Sequence, residues 1–302
     1  MFTLILAGIL CAFKMPVFDS FCHAFSTAST GGFSIKTANI AYYNNVGIDV
    51  TITIFMLLFS VNFNVFYLVL IQRMLKALKN EELISMLVIV FVTTIIVCAT
   101  LLIYGTFNTF GEDLRYSSFM VVSMLSTTGF VNTPVGEDFT FWPAAAQTAL
   151  AAIMIIGGSS GSTAGGIKIC RLIVLMKTVG AELRRALHPQ MLLTVYYDKK
   201  RLPVSTIISI SRFFFLYIFT VVILALGVSA TGLPVEESIF GVASCVSSVG
   251  PSFGMVGATG NFAGVTDIGK LIFALGMLLG RLELFTALAL LRSEYWRKSE
   301  RW

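Results

Sequence analysis

Long apolar runs and short polar breaks alternate along this chain in a repeated order. Residues 46–72, 83–105, 205–230 and 266–292 are each apolar enough and long enough to cross a membrane, which takes roughly 20 residues. A further run begins near Phe141. Between the runs lie shorter apolar stretches, 19–28, 112–125 and 235–246, which the spacing predicts as helices too short to cross. Each ends in a small polar turn: Ser29-Thr30-Gly31-Gly32-Phe33, Ser126-Thr127-Thr128-Gly129-Phe130 and Ser247-Ser248-Val249-Gly250-Pro251. Phe119 and Phe240 stand the same distance ahead of Gly129 and Gly250. The unit is therefore span, short helix, glycine turn, span, twice in full and once with its beginning missing. Residues 1–15 read as the outer part of a spanning helix that Pro16 ends, with Asp19 as the cap of the next helix.

Internal repetition of this kind implies pseudo-symmetry about an axis through a functional site. A glycine beside hydroxyl residues lets backbone carbonyls point where side chains would otherwise stand. A ring of such carbonyls can replace the hydration shell of a small cation.

The run after Phe141 is interrupted by Gly157-Gly158-Ser159-Ser160-Gly161-Ser162-Thr163-Ala164-Gly165-Gly166, with helix resuming at Ile167. Non-helical backbone at membrane depth survives only against protein or a water-filled cavity. The run is not a phosphate loop, because Ile167 separates Gly166 from Lys168. Gly158-Ser159-Ser160-Gly161 also resembles the nucleophile of an intramembrane serine hydrolase, which would need a base. His23 and His188 are the two histidines, and neither is placed near Ser160. Two further polar features sit in apolar runs. Asn62 and Asn64 read as inter-helix hydrogen-bonding residues. Arg281 stands near the middle of the last run, where a charge costs at least about 2.5–3.5 kcal/mol.

Composition removes the soluble alternatives. Of 302 residues, 56% are hydrophobic and 12% charged, against about 25% charged in a soluble domain. The chain reads as an all-α polytopic membrane protein. The formal charge of +5 is not a nucleic-acid signal here, because its placement follows the membrane. Fifteen of the 21 Lys and Arg lie in 73–79, 168–201 and 292–301, which the positive-inside bias makes cytoplasmic, together with the C-terminus. Asp19, Glu112, Asp113, Glu137, Asp138, Glu236 and Glu237 fall near the turns on the other side, an acidic mouth that concentrates cations. Cys11, Cys22, Cys98, Cys170 and Cys245 are scattered singly and read as packing residues.

The repeated unit, the three turns, the run GGSSGSTAGGIK and Leu279-Gly280-Arg281-Leu282-Glu283 together resemble the Trk/Ktr/HKT superfamily, and most of all its bacterial Trk potassium uptake subunits. The resemblance covers nearly the whole chain. It implies pseudo-fourfold repeats of helix, pore helix, filter and helix, arranged like a K⁺ channel. Residues 1–80, 81–190 and 191–302 then correspond to repeats two, three and four, so the chain reads as a fragment or a truncated product lacking repeat one. The resemblance assigns K⁺, the transported ion, to carbonyls of a filter formed by Thr30, Gly31, Gly32, Thr127, Thr128, Gly129, Ser248, Val249 and Gly250. Pro251 departs mildly from the phenylalanine of the other copies. A serine at a filter glycine goes with sodium permeation in this superfamily, and the three positions visible here are glycine. Gating falls to Gly157, Gly158, Ser159, Gly161, Ser162, Thr163, Gly165 and Gly166, with Arg281 below the filter. The implied setting is the cell inner (plasma) membrane, as a homodimer on cytoplasmic nucleotide-binding regulatory subunits, with no enzymatic activity and no cofactor beyond K⁺. Loops 73–79 and 177–201 are the expected contact surfaces. A Na⁺- or H⁺-coupled symporter stays open, with Glu283 and Asp49 as its candidate carboxylates.

Overall fold

The protein is helical throughout, in a computed structural model that describes residues 1–134, 139–188, 190, 194–257, 260–282 and 284–290. Its α-helices are α1 (Phe2–Ala12), α2 (Val17–Ala28), α3 (Val46–Phe59), α4 (Phe63–Leu70), α5 (Glu81–Tyr104) and α6 (Phe110–Leu125). They continue with α7 (Ala144–Ile156), α8 (Ile169–Leu187), α9 (Val204–Ser229), α10 (Val235–Ser247), α11 (Asp267–Arg281) and α12 (Leu284–Leu290). One antiparallel hairpin, β1 (Tyr196–Tyr197) and β2 (Lys200–Arg201), joins α8 to α9.

Among the described residues two helices, α5 and α9, are long and apolar enough to cross a membrane unaided, and α3 with α4 forms a third candidate as a bent pair. At 1.5 Å per residue, α5 and α9 extend about 36–39 Å. Their outward residues, such as Phe91, Ile103 and Phe215, are exposed apolar side chains of the kind lipid covers.

The short helices α2, α6 and α10 sit inside. In α6 every residue from Phe119 to Leu125 is buried, and in α10 every residue from Gly241 to Ser247. Packing follows a rule. Each short helix lies against the two long elements of its own unit, and the helix after each turn leans on the next short helix: α3 on α6, and α7 on α10. The chain therefore advances around an axis one unit at a time.

Several boundaries differ from expectation. The run 46–72 is no single span: α3 and α4 meet at 93° across Ser60–Asn62. Asn62 is the N-cap of α4, accepting from the Asn64 amide at 2.9 Å, so it starts a helix instead of bridging two. The Ser60 carbonyl left over at the end of α3 accepts from the Ser159 amide at 3.0 Å. Pro16, not Asp19, occupies the N-cap of α2. Asp19 is buried in the first turn, where it accepts from the Tyr43 hydroxyl at 2.6 Å. Helix resumes at Ile169, two residues later than Ile167, because Ile167 and Lys168 donate back to Ile155 and Ile156 and close the base of the loop. The last run breaks after Arg281 at Leu282. Glu137, Asp138, Glu283 and the basic residues of 292–301 lie outside the described residues.

Candidate functional site

The three glycine turns adopt one backbone. Thr30, Thr127 and Ser248 have φ of +52°, +54° and +59°; two residues later Gly32, Gly129 and Gly250 have φ of +67°, +81° and +105°. Each short helix is closed in the same way. Thr30, Thr127 and Ser248 donate to Thr27, Met124 and Cys245, while Gly31, Thr128 and Val249 donate to Ser26, Ser123 and Ser244. These bonds use carbonyls that a helix C-terminus leaves unpaired, and they hold the chain in an αL turn. A left-handed residue other than glycine is uncommon, and the recurrence of a left-handed threonine or serine at one position in all three turns marks a shared requirement.

The turns also meet. A Cβ on Gly129 would run into the Val249 carbonyl oxygen, and one on Gly32 into the Thr128 carbonyl oxygen. Positive φ and close backbone approach both demand glycine there. Among the described residues no non-adjacent atom lies within 4 Å of the corresponding point on Gly250, so the series has a free edge there. Beside that edge is a cavity of about 590 Å³ bounded by residues of all three turns, by Met277 and by Arg281. The C-terminal ends of α2, α6 and α10, the negative poles of their dipoles, converge on it. Among the described residues no three His, Cys, Asp or Glu side chains gather into a metal site. Backbone and hydroxyl oxygens are the donors the turns present.

The loop 157–168 lies directly against the turns. The Gly165 amide donates to Thr127 Oγ1 at 2.7 Å, and Thr30 Oγ1 donates to the Thr163 carbonyl at 3.0 Å. Arg281 Nη1 donates to that same carbonyl at 3.2 Å. A Cβ on Gly165 would meet the Ser247 carbonyl oxygen, so glycine lets the loop touch the third turn as well. A second cavity of about 200 Å³ is lined by Ser162–Gly166, Tyr217, Ser248, Gly280 and Arg281. The far side of the loop faces the α3–α4 bend: Phe63 donates to the Gly161 carbonyl and Thr163 Oγ1 to Phe59. The structure thus brings together the nine turn residues, the loop and Arg281, which are spread from Thr30 to Arg281 along the sequence.

Polar residues behind the turns are the part that periodicity does not reveal. Asp49 of α3, 2% exposed, accepts from Arg115 Nε of α6 at 2.7 Å and from Asn132 Nδ2 at 2.9 Å. A buried charge requires such partners. The ion pair fixes α3 to α6 and to the segment leaving the central turn, and Asp49 lines neither cavity. His23 is likewise structural, bonded to the Asp19 carbonyl and to Ser34 Oγ. Tyr217 of α9 pairs with Ser247 at 2.8 Å behind the third turn. Burial first, then its bond to Asp19, pushes the Tyr43 phenol above its ordinary value. An apolar-run pattern carries no signal for these contacts, although a lone Asp in α3 and a lone Arg in α6 at matching depth is a hint that one needs the other.

The sequence profile of the TrkH family, a cation transport protein, matches residues 8–298. The chain belongs to that family. It is 31% identical over 285 residues to the Trk system potassium uptake protein TrkH of Salmonella typhimurium, which covers 94% of this chain and 58% of the relative. It is 32% identical over 284 residues to the Trk system potassium uptake protein TrkG of Escherichia coli K12, across 94% and 57% of the two chains. The crystal structure of the potassium transporter TrkH from Vibrio parahaemolyticus superposes with a TM-score of 0.91 at 29% identity, over 98% of this chain and 63% of that one. This TrkH-family chain therefore spans a little under three-fifths of the length of those two relatives.

Proposed function

We propose that this chain forms part of a K⁺ pathway across the cell inner (plasma) membrane, with the ion's hydration shell replaced by backbone carbonyls of the three turns. One observation carries the reading: three turns with the same left-handed positions and the same helix-closing bonds border a single cavity. Trk relatives named for potassium uptake support K⁺ as the ion. Residues 1–80, 81–190 and 191–302 act as three filter-bearing repeats, and a fourth turn supplied at the free edge of Gly250 would complete the ring. The loop 157–166 and Arg281 control flow. Their contacts at the Thr163 carbonyl put a positive charge and a polar, glycine-rich segment immediately beside the turns.

Around this core the protein is a transporter and not an enzyme, with loops 73–79 and 177–201 on the cytoplasmic side. It works as a homodimer bound to a nucleotide-binding regulatory subunit. A coupled symporter would need a carboxylate on the path, and Asp49 is bonded behind the central turn instead.

The test is rubidium and sodium uptake in cells lacking their own K⁺ uptake systems and expressing the protein, with and without Gly250→Ser, the filter position where a Cβ has room. Rubidium uptake by the unmodified protein and loss of its preference over sodium in the variant is the expected result. Unchanged ion preference in a variant that reaches the membrane at normal levels overturns the carbonyl-filter reading.

A further inference from the structure

Glu82 is a buried acid in a place where hydrophobicity would be cheaper. It stands in the first turn of α5, 3% exposed, and is used by none of the contacts described so far. Its Oε1 accepts from the Ser160 amide at 2.6 Å, inside the loop. The Cys170 backbone amide and the Tyr197 hydroxyl also face this carboxylate, and Lys168 lies nearby. Cys170 is the second residue of α8, whose first amides have no partner within the helix. A carboxylate there is favoured by the helix dipole and by the charge-assisted bonds it accepts.

Next to it, Glu81 points elsewhere. It forms an ion pair with Lys177 of α8 and accepts from the Asp198 amide at 3.0 Å. Lys177 Nζ in turn donates to the Tyr196 carbonyl at 2.8 Å. The β1–β2 hairpin is thereby fastened to α5 and α8, and Tyr197 reaches from it toward Glu82. Burial, followed by the charge of Glu82, pushes the Tyr197 phenol above its ordinary value, so it remains a protonated donor at physiological pH.

We propose that Glu82 is the positioning residue of the 157–168 loop, clamping it to the N-terminus of α8, and that the β1–β2 hairpin acts on the loop through Glu82. Besides its bonds to the α3–α4 bend, the loop is then held from two sides. Thr127, Thr30 and Arg281 hold it toward the turns; Glu82 holds it from the side of the hairpin. A displacement of the hairpin that withdraws Tyr197 weakens the second hold and leaves the first in place. This rests on the reading of the loop as the flow-controlling element.

The experiment uses the full protein in membranes, with its five cysteines replaced by alanine and Ser162→Cys as a reporter in the loop. The readout is the reaction rate of that thiol with a methanethiosulfonate reagent. Glu82→Gln, which keeps the size and removes the charge, should raise the rate about tenfold, the scale of a lost charge-assisted bond. Tyr197→Phe should raise it about fivefold, less than Glu82→Gln because it removes one of the several bonds the carboxylate accepts. The double variant should react no faster than Glu82→Gln alone, because the tyrosine acts through the glutamate. An unchanged rate in Glu82→Gln overturns the clamp; additive effects overturn the hairpin's route. Where Glu82→Gln fails to reach the membrane, Tyr197→Phe decides, and an unchanged rate there overturns the proposal. Rubidium uptake by Gly165→Ala separates this from the gating reading: normal uptake there, with a faster thiol in Glu82→Gln, removes the gate and keeps the clamp.

Discussion

The central turn, Ser126–Phe130, and the first turn, Ser29–Phe33, share a local backbone but not an environment. Every residue of the central turn is buried, and Phe130 is 0% exposed; its counterpart Phe33 is 82% exposed. The central turn has neighbours on both sides, Gly32 against its carbonyls and the third turn against Gly129. The first has a neighbour on one side. Behind the central turn stands the Asp49–Arg115–Asn132 cluster, and Ser123 Oγ donates to the Phe130 carbonyl at 2.7 Å. Ser244 does the same for the Pro251 carbonyl at 2.8 Å, whereas the equivalent Ser26 hydroxyl has no partner among the described residues. A turn of this sequence sets its own dihedral angles; what fixes it in space is the set of elements around it. On the proposed reading, the rigidity needed to dehydrate one ion and reject another would come from the assembled turns and not from any one of them.

The largest break in this comparison comes from Gly129. Gly129→Ala combines φ of +81° with a Cβ driven into the Val249 carbonyl, so rubidium uptake should fall to background. Gly250→Ala also meets dihedral strain, at +105°, but no non-adjacent atom of the described residues within 4 Å, and should retain measurable uptake. Equal loss in both variants would mean that strain, and not the neighbouring carbonyl, sets the requirement.

Next in size is the buried ion pair. Asp49→Ala leaves Arg115 without its carboxylate and frees Asn132, and removing one partner of a buried pair costs about 3–5 kcal/mol. Thermal unfolding of the purified protein in detergent should show a large fall in Tm. Arg115→Met with Asp49→Leu should recover most of it, since a well-packed apolar pair can replace a buried ionic one.

How far the sequence foretold this arrangement depends on what kind of contact is involved. The helices, the repeat and the three turns are periodic, local features, and α5, α9, α6 and α10 begin and end within two residues of the hydrophobic pattern. The bend after Phe59 was hidden because Phe63–Leu70 continues the same apolar composition. Its cause lies about 100 residues away, in loop groups that bond to Ser60 and Phe63. Asn62 was misread for the same reason: a cap and an inter-helix contact look alike until the break is visible. Asp49 with Arg115, and Glu82 with Ser160, are long-range polar pairs, and the hydrophobic period contains no term for them. Thr127 was legible as a turn residue, but not its hydroxyl's bond to Gly165.

The serines give the finest resolution of the difference between the turns. Ser26, Ser123 and Ser244 occupy the same place, six residues before Gly32, Gly129 and Gly250, and differ mainly in whether the hydroxyl has work to do. Ser123→Ala removes a donor and leaves the Phe130 carbonyl buried with one bond fewer, a cost of about 1–3 kcal/mol. Ser244→Ala should cost the lower part of that range, because Pro251 is only half-buried, although the Gly250 amide also loses its 3.1 Å bond to Ser244 Oγ. Ser26→Ala removes a buried hydroxyl that has no partner among the described residues, so stability should hold or rise slightly. Tm of the three variants, with the rubidium-to-sodium uptake ratio beside it, checks the order. If Ser26→Ala were as destabilising as Ser123→Ala, the first turn would be held by its own short helix, and the contrast drawn from the neighbours would fail.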